Sequence, residues 1–353
     1  MSDHPILFAP GPTEVDPELR EIMAMPVMGH RAPRFLEEVL AVCRKLQALF
    51  LTQATALFEN CPATGLMDAS VRNLVQRRIL HLTCGAFGER WLKTSAACGR
   101  EADALQVEWG QPNVPQVLHQ KLSSSEPFEA VAVTYSETST GCLNALQEIS
   151  AVVHEVSPDT LVLVDAVSAL AGAELRFDEW GLDLCFAGLQ KCLALPPGLC
   201  VYALSERALQ KAAQVQERGF LLDFVRARKG FASGKTTATP NTPLVFALSR
   251  QLDRIAAEGL ESRWRRHAEM LAVVSAWAAA KGFEFLVDEP HRSPAVSALR
   301  NSGRVVKDLI AKAREGGFTL ANGYGKLKGE TFRIGHMGDH TVERLERLLA
   351  CLG

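Results

Sequence analysis

Between Leu184 and Leu204 the chain reads LCFAGLQKCLALPPGLCVYAL, 21 residues in which Lys191 is the only charge. An amine in an apolar setting loses part of its preference for the charged state, and a neutral amine attacks carbonyl carbon. Lys191 is therefore a candidate for Schiff-base chemistry, although a lysine in a turn with its ammonium in water is the plainer reading of the spacing. Upstream, Thr160 to Asp165 (TLVLVD) is a buried-strand pattern that ends in an acid. A carboxylate at the C-terminal end of a parallel strand faces the ligand crevice of an α/β sheet; a helix N-cap or a loop salt bridge would use the same residue. A third feature is Cys61-Pro62-Ala63-Thr64-Gly65, ahead of Met67, Val71, Leu74 and Val75 at helical spacing, which predict a helix over Leu66–Gln76. Free N–H groups, the helix dipole and the Thr64 hydroxyl suit a phosphate there, while a bare N-cap, with Asp68 complementing the dipole, is the simpler alternative. Together, amine, acid and anion loop are the parts that pyridoxal phosphate requires: partners for an aldehyde, a pyridine nitrogen and a phosphate.

The elements that must position these residues follow from hydrophobic patterning. Short apolar runs at Ala56–Glu59, Arg78–Thr83, Leu105–Glu108, Ala130–Tyr135, Thr160–Asp165, Leu184–Ala187 and Cys200–Leu204 alternate with amphipathic stretches. Several are continuous Val/Leu/Ala runs, as expected of parallel strands covered on both faces. Gln210 to Thr242 is polar and glycine-bearing and reads as an irregular excursion, with a long helix predicted to begin near Pro243. Beyond it, Phe283–Val287, Ala295–Ala298, Phe318–Ala321 and Thr331–Ile334 are strand candidates, and Arg304–Arg314 and His340–Leu352 are predicted helices. The expected organisation is an N-terminal segment 1–20 near the active site or a dimer contact, a large domain 21–257 and a small C-terminal α/β domain 258–353.

Composition narrows the partners. The 353 residues are 47% hydrophobic and 22% charged, with a net charge of −2 and no long single-sign block. Nucleic acid and anionic membrane are poor partners for such a chain. The nine cysteines show no C-x-x-C spacing and read as reduced thiols, the N-terminus carries no secretory pattern, and a cytoplasmic location is expected. Lys191 and the break at Pro196-Pro197-Gly198 argue against a spanning helix in the long apolar run.

Ten segments in order resemble the class V branch of fold-type I pyridoxal-phosphate aminotransferases, most of all the alanine:glyoxylate and serine:pyruvate enzymes. They are FAPGPTEVDPEL (Phe8–Leu19), GHRAPRF (Gly29–Phe35), ATGLMDASVRNL (Ala63–Leu74), GAFGERW (Gly85–Trp91), ETSTG (Glu137–Gly141), VDAVSALAG (Val164–Gly172), GLQKCLALPPGL (Gly188–Leu199), TPNTPLVFAL (Thr239–Leu248), EGLESRWRRH (Glu258–His267) and FRIGHMG (Phe332–Gly338). The resemblance implies an α/β large domain with a mostly parallel seven-stranded sheet sandwiched by helices, and a small C-terminal domain. It also implies a ping-pong aminotransferase moving an amino group from a small donor such as alanine or serine to glyoxylate or pyruvate.

By the same resemblance Lys191 forms the Schiff base and shuttles the proton, and Asp165 holds the pyridine nitrogen protonated. Phe87 stacks on one ring face and Val167 packs on the other. Ala63, Thr64, Gly65 and Gln190 contact the phosphate, as does Thr239 from the partner subunit of a homodimer. Thr138 lies near cofactor and substrate carboxylate, and Arg333 grips that carboxylate in a bidentate pair. The chain departs from the family at Pro62-Ala63-Thr64, where a Ser-Gly-Thr-like loop is usual, and at Thr236, which stands with Asn241 in the entrance stretch. Aspartate or 2-aminoethylphosphonate are alternative donors. A cysteine desulfurase is disfavoured because Gln190, not histidine, precedes the lysine; a non-catalytic cofactor-binding fold rests only on the altered loop.

Overall fold

The apolar runs become one seven-stranded sheet in the computed structural model, which describes residues 4–353; the first three residues of the predicted 1–20 segment lie outside the described residues. The strands are β1 (Thr55–Glu59), β2 (Arg78–Thr83), β3 (Glu101–Gln106), β4 (Ala130–Thr134), β5 (Leu161–Asp165), β6 (Leu184–Gly188) and β7 (Cys200–Leu204). Their spatial order is β1-β7-β6-β5-β4-β2-β3. Only β7 runs antiparallel to its neighbours. Every residue of β4, β5, β6 and β7 is buried, which is why these runs lack polar alternation. The chain steps outward from β2 to β3 and in the opposite direction from β4 to β6, so the sheet reverses between β2 and β4, where ligands of open α/β sheets sit beyond the strand C-termini.

Two corrections concern this region. The edge strand β3 spans Glu101–Gln106 rather than Leu105–Glu108: it is half-exposed, and its Glu101 and Asp103 pair with Arg77 and Arg78, so the strand carries little hydrophobic signal. The helix predicted over Leu66–Gln76 spans Ala63–Leu74, with Pro62 as N-cap, so Ala63, Thr64 and Gly65 form its first turn.

The expected excursion after β7 holds two helices, Glu206–Gln214, capped by the Ser205 hydroxyl, and Phe224–Phe231, capped by Asp223. Each is short and buries only three residues, too narrow a stripe to read from spacing. The long helix Thr242–Glu258 begins beside Pro243 as predicted, capped by Asn241. Gly259, at φ +80, separates it from Leu260–Lys281.

In the C-terminal part, Thr331–Gly335 pairs antiparallel with both Val296–Arg300 and Ala321–Asn322. The predicted strand Phe283–Val287 is reduced to one bridge, Phe285 to Leu299, flanked by Leu286 N donating to the Ala298 carbonyl at 2.9 Å and Arg300 N to the Glu284 carbonyl at 2.7 Å, with Phe283 and Leu286 buried. The predicted helices appear as Val306–Glu315 and Val342–Leu352. Ile6–Leu7 pairs in parallel with Phe318–Thr319, and Phe8 is buried in the same hydrophobic cluster as Met270, Phe332 and Leu348. A separate, larger cluster fills the space around the seven-stranded sheet. Among the described residues no helix is long and apolar enough to cross a membrane, and Leu184–Leu204 is β6, a turn and β7.

Candidate active site

At the C-terminal edge of the sheet, ladder partners align Thr134 with Asp165 and Asp165 with Phe186. The Asp165 side chain enters a cavity of about 320 Å³ also lined by Ala63, Thr64, Phe87, Thr138, Val167, Gln190 and Lys191. Eight of the eleven predicted site residues thus meet in one place. Of the other three, Arg333 lies outside the lining and bonds the carbonyl of Thr138, which is part of it, whereas Gly65 packs on Cys61 and Thr239 is exposed, its carbonyl accepting from Asn60 Nδ2 at 3.1 Å.

The turn between β6 and β7 carries Lys191 inward. Its side chain is buried, and its amine donates to the Pro10 carbonyl oxygen. Burial, followed by the positive charge of Arg333, pushes the amine down to about 8. The N-terminal segment fits closely here: at Gly11, φ +89, an added Cβ would lie 2.6 Å from Lys191 Cδ. A side chain at residue 11 would displace the lysine.

Burial pushes the Asp165 carboxyl up to about 7, against the opposing pull of the Val167 N–H and of Lys191 and Arg90. One oxygen accepts from Val167 N at 2.9 Å; the other has no hydrogen-bond partner among the described residues. A buried carboxylate left half-paired beside a cavity is a site for a cationic donor.

Phe87 is set by an unexpected cap. Its helix, Ala86–Ala97, starts from Gly85, which has no capping side chain. The cap is instead Glu137, fully buried, whose Oε2 accepts from Phe87 N at 3.0 Å and Gly88 N at 3.1 Å. Its Oε1 accepts from Ser139 N and Oγ, and Ser139 Oγ in turn accepts from Ala86 N. Burial drives the Glu137 carboxyl upward and these donors oppose it. Gly85 makes the close approach possible, since a Cβ there would lie 2.4 Å from Glu137 Cγ. Gly85→Ala is accordingly expected to destabilise the fold by about 1 to 3 kcal/mol, the usual range for overpacking. A thermal midpoint unchanged from wild type would contradict this.

Thr138 Oγ1 and Ser168 Oγ are 2.5 Å apart. Arg333 donates from Nη1 to the Thr138 carbonyl at 3.1 Å and from Nε to the Asn322 carbonyl at 3.0 Å, which leaves Nη2 with no partner among the described residues. Burial pushes its guanidinium down to about 10. Arg90, Glu137, Ser168, Tyr324 and the Pro10 carbonyl were not singled out from sequence, because their roles come from contacts between distant segments. Only the ETSTG motif gave a hint, by carrying Glu137 next to Thr138.

The residues present fit pyridoxal phosphate. The backbone N–H groups of Ala63 and Thr64, in the first helical turn, donate to nothing among the described residues, whereas that of Gly65 bonds the Pro62 carbonyl at 2.7 Å. The Gln190 amide likewise makes no hydrogen bond among the described residues. The Pro62-Ala63 departure therefore leaves helix-terminal donors in place.

Residues 66–314 match the family model described as aminotransferase class-V. The chain is 34% identical over 353 residues to an uncharacterized aminotransferase of Methanocaldococcus jannaschii, covering 98% of this chain and 91% of that one. It is 33% identical over 367 residues to a protein of a Synechococcus species named as the small subunit of a soluble hydrogenase, covering 100% of this chain and 95% of the other. Among solved structures, an alanine–glyoxylate aminotransferase from a Nostoc species superposes with a TM-score of 0.93 at 26% identity, over 100% of this chain and 95% of that one.

Proposed function

The chain belongs to the class V aminotransferases, pyridoxal-phosphate-dependent transaminases, and from that premise we propose that it moves the amino group of a small α-amino acid, alanine or serine, to glyoxylate or pyruvate in two half-reactions. The observation that carries this reading is the convergence of Lys191 and Asp165 in one buried cavity beside an unengaged helix N-terminus. Pyridoxal phosphate, when bound, supplies an aldehyde and a ring that accepts electrons.

The rest falls to the chain's own residues. The Lys191 amine would anchor the cofactor through its aldehyde and would move the proton of the substrate Cα. An amine pushed down to about 8 sheds and regains a proton near neutrality. The Asp165 oxygen that lacks a partner would hold the ring nitrogen in its charged form, and Phe87 and Val167, which line the cavity, would cover the ring and exclude water. Ala63, Thr64 and Gln190 hold the phosphate, with Gly65 shaping the turn, and Thr239 of a second copy completes that shell in a homodimer. The exposure of Thr239, away from its own chain's cavity, supports this assignment. The division of the chain at residue 258 is supported by a hydrophobic cluster whose buried members, Phe8 apart, run from Met270 to Leu352, and a reducing, cytoplasmic compartment by nine cysteines without a disulfide among the described residues.

Arg333, with Thr138, takes the substrate α-carboxylate. Arg333→Gln is expected to lower kcat/KM for alanine by about 10- to 100-fold, the range for a lost charge-assisted hydrogen bond, with cofactor affinity little changed. Steady-state kinetics and a cofactor titration check both parts. A desulfurase is disfavoured by Cys192 beside the lysine, buried and pushed up to about 11, hence no ready nucleophile.

The test is the visible absorption of the purified protein, followed as alanine, serine, aspartate and 2-aminoethylphosphonate are added singly. Loss of the band with one donor, restored by glyoxylate or pyruvate, supports the reading. A protein that stays colourless with added pyridoxal phosphate, or a band that no donor alters, overturns it.

A further inference from the structure

The turn that carries Lys191 inward is strained, and a buried charge holds it from behind. Ala194, three residues past the lysine, stands at φ +52, in the left-handed region that a residue with a Cβ rarely adopts, and its N–H donates to the Lys191 carbonyl at 2.9 Å. Backbone kept in that region needs surroundings that leave it no alternative. One such neighbour is Gly338, at φ +74, where an added Cβ would lie 3.0 Å from Ala194 Cβ and 3.2 Å from the Lys191 carbonyl oxygen. Another is Arg263, in the helix Leu260–Lys281, whose Nη2 donates at 2.8 Å to the carbonyl of Cys192, the residue after the lysine.

Arg263 is 2% exposed, and a guanidinium so placed is costly unless its partners are in position. Nη1 donates to Glu258 Oε2 at 2.7 Å, and Nη2, besides the Cys192 carbonyl, donates to Asp339 Oδ1 at 2.8 Å. Asp339 lies four residues beyond the strand Thr331–Gly335, which carries Arg333, and directly after Gly338, whose carbonyl accepts from Arg266 Nη1 at 3.1 Å. One guanidinium nitrogen thus joins the backbone of the lysine turn to the segment that continues from the arginine strand. Neither acid depends on Arg263 alone: Glu258 also accepts from Arg266 Nε at 2.7 Å, and both Asp339 oxygens accept from Gln251 Nε2 at 3.1 Å. The Cys192 carbonyl has no other donor among the described residues. What Arg263 alone supplies is the hold on the turn.

We propose that Arg263 is a positioning residue, which fixes the Lys191 turn against the Gly338–Asp339 segment and so sets where the amine stands relative to Arg333. That the amine moves a proton rests on the transaminase reading; what aims it goes beyond that reading. A proton carrier must stand within hydrogen-bond reach of the atom it serves, and a misplacement of about 1 Å caused far from the chemistry can slow a reaction roughly 100-fold. Arg263 is not among the residues lining the cavity, so it acts through the lysine. Once the Cys192 carbonyl is released, Ala194 relaxes out of the left-handed region and the amine moves with the turn.

The experiment is a cycle of Arg263→Met and Lys191→Ala, accompanied by Arg263→Lys and by a measurement on the cofactor-free protein. With the lysine present, Arg263→Met is expected to lower kcat for the donor that turns over by about 10- to 100-fold while KM changes less than about threefold. Arg263→Lys keeps the charge and recovers part of the loss. In the Lys191→Ala background, with methylamine added as the base, Arg263→Met should slow transfer by less than about twofold, because a diffusible amine is not aimed by the turn. A merely structural role would slow both backgrounds alike. The cofactor-free measurement is the pH midpoint of Lys191 labelling by acetic anhydride, read by mass spectrometry. Burial, followed by the charge of Arg333, holds the wild-type amine at about 8, and a loosened turn carries it toward the ordinary 10.5. Equal losses in the two backgrounds, or the same labelling midpoint in wild type and Arg263→Met, overturn the proposal. If Arg263→Met does not fold, Arg263→Lys is taken through the same cycle and the same outcomes decide. If no donor turns over while the labelling midpoint moves, the transaminase reading fails and Arg263 stands as the residue that holds the lysine turn.

Discussion

Lys191→Ala is expected to slow amino transfer by about 100- to 10,000-fold through the loss of proton transfer alone, the range typical of a positioned general base. The fold should survive. The lysine is buried without a carboxylate partner and is held by the Pro10 carbonyl, so removing it deletes one hydrogen bond and also removes an amine that burial disfavours in its charged form. A group with a pKa near 8 is about one-tenth neutral at pH 7 and mostly neutral by pH 9, so the wild-type amine is poised to exchange protons where its replacement has nothing to offer. Single-turnover mixing with alanine, monitored by visible absorption, measures the loss. Partial rescue by added methylamine would identify the missing function as that of an amine base. A rate within tenfold of wild type, at equal cofactor occupancy, would remove Lys191 from the chemistry.

Asp165→Asn should lower kcat by about 100- to 1,000-fold, as removal of a preorganised electrostatic partner typically does, with a smaller change in KM. It also has a signature in the cofactor-free protein. The carboxyl sits near 7 in the fold against an ordinary value of 3.8, so between these values the native state binds more protons than the unfolded chain. Wild-type stability from this group is therefore present below about pH 4 and lost as the pH rises through about 7, by at most about 1.4 kcal/mol per pH unit. Asparagine has no such dependence. The variant should gain on wild type steadily from pH 4 to pH 7, while Glu59, also pushed up to about 7 by burial, contributes to both proteins and cancels. A difference in thermal midpoint that stays flat over this range would show that the carboxyl is not held near neutrality.

The central strands were legible because both faces are covered, so Val131–Val133 and Leu161–Val164 announce themselves by composition. Strand β3 is poorly legible for the opposite reason, as an edge strand whose charges pair with Arg77, just before β2, and Arg78, its first residue. The two short helices after β7 and the reduced strand at Phe283–Val287 depend on tertiary packing that spacing does not encode. In the site, Asp165 and Lys191 could be read from charges set in apolar runs. Phe87, Gln190 and Arg333 rested on resemblance, since a stripe or an alternation would have left them as ordinary core or surface residues. Glu137 and Arg263 escaped notice because their significance lies in partners 49 or more positions away, Gly88 for the first and Cys192 for the second.

The pairing of Ile6–Leu7 with Phe318–Thr319, and the seating of Phe8 among the residues of the C-terminal cluster, has a consequence for how the polypeptide is made. Ile6 and Leu7 find their strand partners only after more than three hundred further residues have been made. Sequence separation of this kind slows folding, because the loop must close before the contact is gained. The N-terminal segment therefore waits unpaired through most of synthesis while the seven-stranded sheet assembles. Because the same segment delivers the Pro10 carbonyl and Gly11 to Lys191, the site becomes whole only as the last third of the chain emerges, and a truncated translation product cannot carry a finished active centre.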